Sequence, residues 1–238
     1  MRTVPLMNLS RIFLILAIAL GSVKAFAQAS ENNPDQVYGY DPLLYNGMVY
    51  YYYAVPGTGG TQYLFDTFDT QGSVTVRGVT YTNRALNFDI YNQKLILKYQ
   101  NIVGSTNLIE ISFAWLENFD IGGRHFELVA SADTTKEIYQ VIGSGPAKVM
   151  YYQSKKLLIQ SFIESTSHAY SQVQRVMYVF NGHEKIRYKN NRSFVAAFIP
   201  AQHDMIKKYL RKHNLIVQKA KDSEMTELIN YCNTLTGS

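Results

Sequence analysis

Apolar and polar positions alternate in twos through most of this chain. Val74 and Val76 lead into Arg77-Gly78, a pair suited to a tight turn, and Val79 and Tyr81 follow it. Leu86, Phe88 and Ile90 then alternate with Asn87, Asp89 and Tyr91. Asn92-Gln93 reverses the chain, after which Leu95, Leu97 and Tyr99 alternate with Lys94, Ile96 and Lys98. A period of two sends one set of side chains to a buried face and the other, Asp89 included, to a polar one. Ile109, Ile111 and Phe113 continue the pattern. Phe119 and Ile121 run into Gly122-Gly123, a hairpin turn from which Phe126 and Leu128 return.

The pattern persists past the midpoint. Residues 138–142, 149–152 and 157–162 read as strands, and Gly143-Ser144-Gly145-Pro146 breaks the first of them. The polar stretch 164–171 reads as a loop, 173–180 as a strand, and Asn181-Gly182 as a hairpin turn before a returning strand at 186–188. Residues 194–199 are expected to form the last strand, because Pro200 cannot donate to a ladder. Near the start, 48–55 is expected to be a strand with two of Tyr50–Tyr53 on each face, ended by a mobile loop at 56–60.

After Pro200 the period changes. Met205, Ile206, Tyr209 and Leu210 share one face of a helix whose other face carries Lys207, Lys208, Arg211 and Lys212, and Asn214 can end it. Met225, Leu228, Ile229, Cys232 and Leu235 recur at helical spacing behind Asp222 or Ser223, either of which can cap. Helices this short do not stand alone in water, so their stripes must dock on the sheet or on each other. The pattern predicts a mainly β chain: an antiparallel meander forming a curved sheet, sandwich or partial barrel, with two short C-terminal α-helices. The expected divisions are a signal peptide at 1–27, a linker at 28–46, an antiparallel β domain at 47–200 and a helical pair at 201–238 packed on the same domain. Leu43, Leu44 and Tyr45, at the linker's end, begin to supply packing groups.

The signal peptide rests on Arg2 and Arg11, an unbroken apolar run at 12–20, and the small-x-small sequence Ala25-Phe26-Ala27. The run falls well short of the roughly 20 residues that span a bilayer, and no later stretch is long enough, so no integral membrane span is expected. The single cysteine is Cys232, so no Cys follows the cut and no lipoprotein anchor is expected. The address is the periplasm, the cell surface or the outside of the cell.

Export changes the charge. Of 23 Lys+Arg against 18 Asp+Glu, Arg2, Arg11 and Lys24 leave with the signal, and the mature chain is close to neutral. The remainder is uneven: residues 28–147 hold 12 acids and 6 bases, and residues 148–238 hold 6 acids and 14 bases. A basic C-terminal third suits phosphate, a lipid or an acidic partner, or lies against the acidic part of the same molecule. Nucleic acid is not an expected partner for an exported protein. One cysteine excludes an intramolecular disulfide, so 19 Tyr, 12 Phe and the aliphatic side chains must stabilise the fold by burial.

Candidate chemistry is sparse. His125, His168, His183, His203 and His213 show no metal-ligand spacing. Gly57-Thr58-Gly59-Gly60 lacks the Lys and following helix of a phosphate loop. Cys232 falls on an apolar stripe, the place of a buried, inert thiol. Asp66, Asp69 and Asp89 are the carboxylates a glycosidase could pair, but sequence does not bring them together. No catalytic, cofactor-binding or metal residue is assigned, and no cofactor is expected. Exposed rings among Tyr50–Tyr53 could stack on sugars or meet a protein, the alternative being that one pair packs in the core.

The segments Gly72–Gly78, Val79-Thr80-Tyr81, Leu86–Tyr91 and Leu95-Ile96-Leu97, with Ile206–His213 and Leu228-Ile229-Asn230-Tyr231, resemble a group of uncharacterised exported proteins of Bacteroidota that share a Gly-led β segment and two C-terminal helices. The resemblance implies an envelope or secreted protein of a Gram-negative cell and brings no catalytic residues. The expected function is a non-enzymatic exported domain that binds or scaffolds, with an envelope protein or a glycan as partner. The alternative is a hydrolase acting on envelope or dietary polymers.

Overall fold

The computed structural model describes residues 40–52, 56–130, 135–161 and 166–235. The signal segment and most of the linker lie outside them. A division falls after Asp41, and the unit that begins at Pro42 carries the fold. Its strands are β1 (Met48–Val49), β2 (Gln71–Val76), β3 (Val79–Asp89), β4 (Lys94–Gln100), β5 (Thr106–Glu110), β6 (Leu116–Ile121), β7 (Arg124–Ala130), β8 (Lys136–Ile142), β9 (Lys148–Ser154), β10 (Leu157–Ser161), β11 (Thr166–Tyr170), β12 (Gln174–Phe180) and β13 (Lys185–Tyr188). Three helices follow: α1 (Asn191–Val195), α2 (His203–Lys212), entered through a 3-10 turn at Pro200–Gln202, and α3 (Asp222–Leu235).

The fold is mainly β, as the alternation requires: one large antiparallel sheet that does not close, with short helices at the C-terminal end. Eleven strands run in the order β1-β5-β4-β3-β2-β6-β7-β8-β9-β12-β13. This is two meanders set back to back. The first grows from β2 to β5, the chain then returns to lay β6 beside β2, and the second grows the other way. The turns follow their residues. Arg77 and Gly78, at φ 49 and 78, close β2–β3, and Gly122 and Gly123, at φ 58 and 71, close β6–β7, left-handed pairs that match the strand twist.

From β3 to β7 the inner face of the sheet curls on itself. Register sets Phe88 opposite Leu95, Val74 opposite Phe119 and Phe119 opposite Phe126. β3 and β7 are three strand steps apart, about 14 Å in a flat sheet, yet the Phe88 and Phe126 rings meet edge to face at 5.5 Å. Register shifts in β2, between Gly72 and Val74 against β3 and between Thr75 and Val76 against β6, mark bulges that bend it. Phe88, Phe119 and Phe126, fully buried, fill the inside, and Leu44 joins the same core.

From β8 onward the sheet is covered instead. Ile142, Val149, Tyr151, Val179 and Tyr188 from its strands meet Phe194, Ile206, Leu210, Met225, Leu228, Ile229 and Cys232 from the helices. α3 lies so close to the turn after β8 that a Cβ on Gly143 (φ 89) would sit 2.2 Å from Ile229 Cγ2. Two buried glutamines separate the cores. Gln140, in register between Phe126 and Tyr151, accepts from Gln153 Nε2 and donates to Asp222 Oδ2 at 2.6 Å. Gln93, from the β3–β4 turn, reaches across to donate to the Gln153 carbonyl at 2.9 Å.

Four expectations are corrected. The polar stretch 164–171 contains a strand, β11, which pairs with β10 in a hairpin outside the main sheet; its composition is polar because this hairpin does not line either core. Residues 194–199 are not a strand but the end of α1 and the turn after it. Asn190 caps α1 by accepting from Ser193 N at 2.9 Å while Ser193 Oγ accepts from Asn190 N at 3.0 Å, an Asn-x-x-Ser box that overrides the apolar run. The loop at 56–60 is tied down, with Gly59 N donating to His168 O and Tyr170 N to Gly59 O, both at 2.9 Å. Finally, of the strand expected at 48–55 only Met48–Val49 is a strand among the described residues. The hairpin expected at Asn181-Gly182 does form: the Asn181 side chain accepts from His183 N and Glu184 N at 3.0 Å each, in a four-residue β12–β13 turn.

Candidate functional site

Asp89, expected on a polar face, is fully buried at the end of β3. Its Oδ1 accepts from the main-chain N–H groups of Tyr91 at 3.0 Å and Asn92 at 2.8 Å. Its Oδ2 accepts from Asn92 Nδ2 at 2.8 Å and from the Tyr50 hydroxyl. Four donors on one carboxylate leave no lone pair directed at a substrate, so Asp89 is an anchor for the β3–β4 turn rather than an acid or base. The same contact holds the segment that follows β1. Burial, reinforced by the hydrogen bond to the Asp89 carboxylate, pushes the Tyr50 phenol far above its usual range and keeps it neutral.

Rings collect around this anchor. Tyr50 and Tyr63 lie 6.4 Å apart, and Tyr63 meets Phe68 edge-on at 5.1 Å. Farther out, Tyr170 of β11 packs on Tyr91 at 5.5 Å and on Tyr52 at 6.5 Å, with the hydroxyls of Tyr52 and Tyr170 in contact. Tyr52 and Tyr170 are half-buried and Tyr91 is 38% exposed. Lys155 braces the floor, donating to the carbonyls of Thr61 and Tyr63 at 2.7 Å each, and burial pushes its amine down. Three segments far apart in sequence thus present one aromatic surface at an end of the curled half. Alternation holds along the tyrosine run: Tyr50 is buried, Tyr51 is 72% exposed and points away from Tyr52, and Tyr53 lies outside the described residues.

The other candidates do not assemble into a reaction centre. Asp66 and Asp69 are exposed on the segment before β2. His125 Nδ1 lies 2.9 Å from Asp120 Oδ1, and Asp120 Oδ2 accepts from Ser73 Oγ at 3.1 Å. That order, Ser–Asp–His, leaves the hydroxyl without the imidazole a nucleophile needs. His168 is on β11 and His183 in the β12–β13 turn. His203 Nε2 donates to Phe198 O at 2.7 Å, and His213 stacks on Tyr209 at 4.2 Å. Cys232 is fully buried, and burial pushes its thiol up to about 12, the setting of an inert side chain. Among the described residues no group of three or more His, Cys, Asp or Glu could hold a metal ion, and no helix is long and apolar enough to cross a membrane.

Sequence reasoning picked out Tyr50 and Tyr52 but missed Tyr91 and Tyr170. By sequence Tyr91 is only a polar-face position, and Tyr170 falls in a polar stretch that reads as a loop. The missed signal is the alternation of Ser167, His168, Ala169 and Tyr170 opposite Leu157–Gln160. Comparison with known proteins finds no matching family model, no matching curated protein and no matching solved structure.

Proposed function

We propose that the chain is an exported binding domain of the cell envelope or its surroundings, and that the Tyr52–Tyr91–Tyr170 surface takes a glycan. The carrying observation is the convergence of these rings on a rigid floor, with Tyr91 open to solvent. Sugar C–H faces pack on aromatic rings while hydroxyls stay in water, and tyrosine offers both an apolar face and a polar tip. Export rests on the N-terminal Arg, apolar run and Ala-Phe-Ala pattern, and on the resemblance to exported Bacteroidota proteins. Binding is favoured over hydrolysis because the buried carboxylate beneath the rings is fully engaged by its four donors.

Affinity electrophoresis of the mature chain through gels carrying soluble bacterial and plant polysaccharides tests this. Retardation by at least one polysaccharide is expected, weakened about tenfold by Tyr91→Ala or Tyr170→Ala, the equivalent of about 1.4 kcal/mol for a lost ring contact. Mobility unchanged in every gel, or retardation indifferent to both substitutions, contradicts the reading.

A further inference from the structure

A cleft of the opposite chemistry lies among the helices. Between α1 and α2 there is a cleft of about 430 Å³ lined by Asn191, Arg192, Val195, Ala196, His203, Lys207, Leu210 and Arg211. Small-molecule pockets fall in this size range. The sequence builds it simply. His203, Lys207 and Arg211 recur at i, i+4 and i+8 along α2, one above another on one face, and Arg192 of α1 joins them. Val195 and Leu210, both buried, supply an apolar part of the lining.

The lining is cationic with little to neutralise it. Residues 185–213 contain eight Lys and Arg against one acid, Asp204. Lys207 Nζ pairs with Asp204 Oδ1 at 3.0 Å, and Lys207 in turn holds the Asp204 carboxyl below its usual range. Arg211 acts on the Asp204 carboxyl only as a lesser cause than Lys207, and no acid lines the cleft. Counting Arg192, Lys207 and Arg211 against Asp204, with His203 neutral, the rim carries a net charge of +2. The walls are fixed in place. Asn191 Nδ2 donates to Leu215 O at 2.7 Å, and its Oδ1 accepts from Val217 N at 2.9 Å, tying α1 to the chain that leaves α2. His203 is held by its bond to the Phe198 carbonyl.

We propose that this cleft binds a phosphate monoester attached to an apolar or sugar body. Two guanidinium forks match the oxygens of a phosphate, and a dianion balances the charge that a single carboxylate would only half neutralise. The apolar lining then takes the body of the ligand. The same group occurs on free organic phosphates and on phosphorylated lipid headgroups, and the cleft's chemistry is common to both. This site is independent of the tyrosine surface and uses none of its residues.

Calorimetric titration of the mature full-length chain with phenyl phosphate, with benzoate as the monoanionic control, tests the charge and shape argument. Co-sedimentation with phosphatidylcholine vesicles, with and without one-fifth phosphatidic acid, tests the lipid source. Phenyl phosphate is expected to bind at least tenfold more tightly than benzoate. Arg192→Ala with Arg211→Ala is expected to weaken it at least thirtyfold with no change in Tm, since both side chains are exposed. Arg192→Lys with Arg211→Lys, a pair that keeps the charge but not the forks, is expected to recover only part of the loss. Binding of phenyl phosphate alone assigns a soluble ligand, and variant-sensitive binding to phosphatidic acid vesicles assigns a headgroup. Binding to neither, or binding that survives the double alanine substitution, overturns the proposal.

Discussion

The two halves of this sheet bury the same alternating pattern by different means. From β1 to β7 the sheet curls until its own strands face each other, and the interior is phenylalanine: Phe88, Phe119 and Phe126. From β8 to β13 the strands rely on α1, α2 and α3, and two of the largest buried side chains under the helices are tyrosines, Tyr151 and Tyr188. Gln140 and Gln153 form the seam between the cores. The charge divides nearby, one strand later, with the acidic excess before residue 148 and the basic excess after it. The aromatic surface joins Tyr52 and Tyr91 of the curled half to Tyr170 of the β10–β11 hairpin, and the cationic cleft lies wholly in the helical half. A sheet that covers itself leaves an end open for a ligand, whereas one that borrows helices gains the clefts between them.

Removing what only one half depends on has the largest effect. Deleting residues 201–238 strips α2 and α3 from β8, β9, β12 and β13 and exposes a continuous apolar face. The truncated chain is expected to be insoluble, and a soluble chain with a cooperative melting transition contradicts the dependence. Next comes the curled core. Phe126→Ala removes a ring stacked on Phe119 at 4.7 Å and is expected to cost about 3–5 kcal/mol in urea denaturation. A loss below about 1 kcal/mol means that the sheet does not close on this ring.

Alkali acts more gently, on the tyrosines beneath the helices. Burial, the largest cause in each case, raises the phenols of Tyr151 and Tyr188 above the ordinary value of 10.0. In the unfolded chain these groups lose their protons near pH 10, whereas in the fold they keep them. The unfolded state therefore binds fewer protons above pH 10, so stability is full below that pH and falls as pH climbs. In the curled half the raised phenols of Tyr50 and Tyr63 lie around Asp89, beside the core of Phe88, Phe119 and Phe126. Helical ellipticity is expected to decline above pH 10 together with the rise of tyrosinate absorbance. Helical signal unchanged while all the tyrosines ionise would contradict the placement of Tyr151 and Tyr188 beneath the helices.

Much of this architecture was legible in the sequence because its causes are local. The Arg77-Gly78 and Gly122-Gly123 turns, the alternation through Leu86–Ile90 and the stripe Met225–Leu228–Ile229–Cys232 each state their own structure. What was not legible depends on distant partners. Asp89 reads as a polar-face residue until Tyr50 and Asn92 are found around its carboxylate. The 194–199 run reads as a strand because its apolar side chains outweigh the Asn190–Ser193 cap. The aromatic surface joins Tyr52, Tyr91 and Tyr170, and the second meander and its hairpin must fold before Tyr170 reaches the other two. The cationic stripe on α2 was visible, but Arg192 became part of it only when residues 191–195 turned out to be helical.

Native-state hydrogen exchange on Leu228→Ala tests the division most directly. Leu228, on α3, is fully buried in the helix-covered core, and its truncation is expected to cost about 2–5 kcal/mol. Protection should fall in β8, β9, β12 and β13 while β3, β6 and β7 exchange as in the unaltered protein, because local opening follows the packing unit that was weakened. Equal loss of protection in both sets of strands would contradict two separately buried halves.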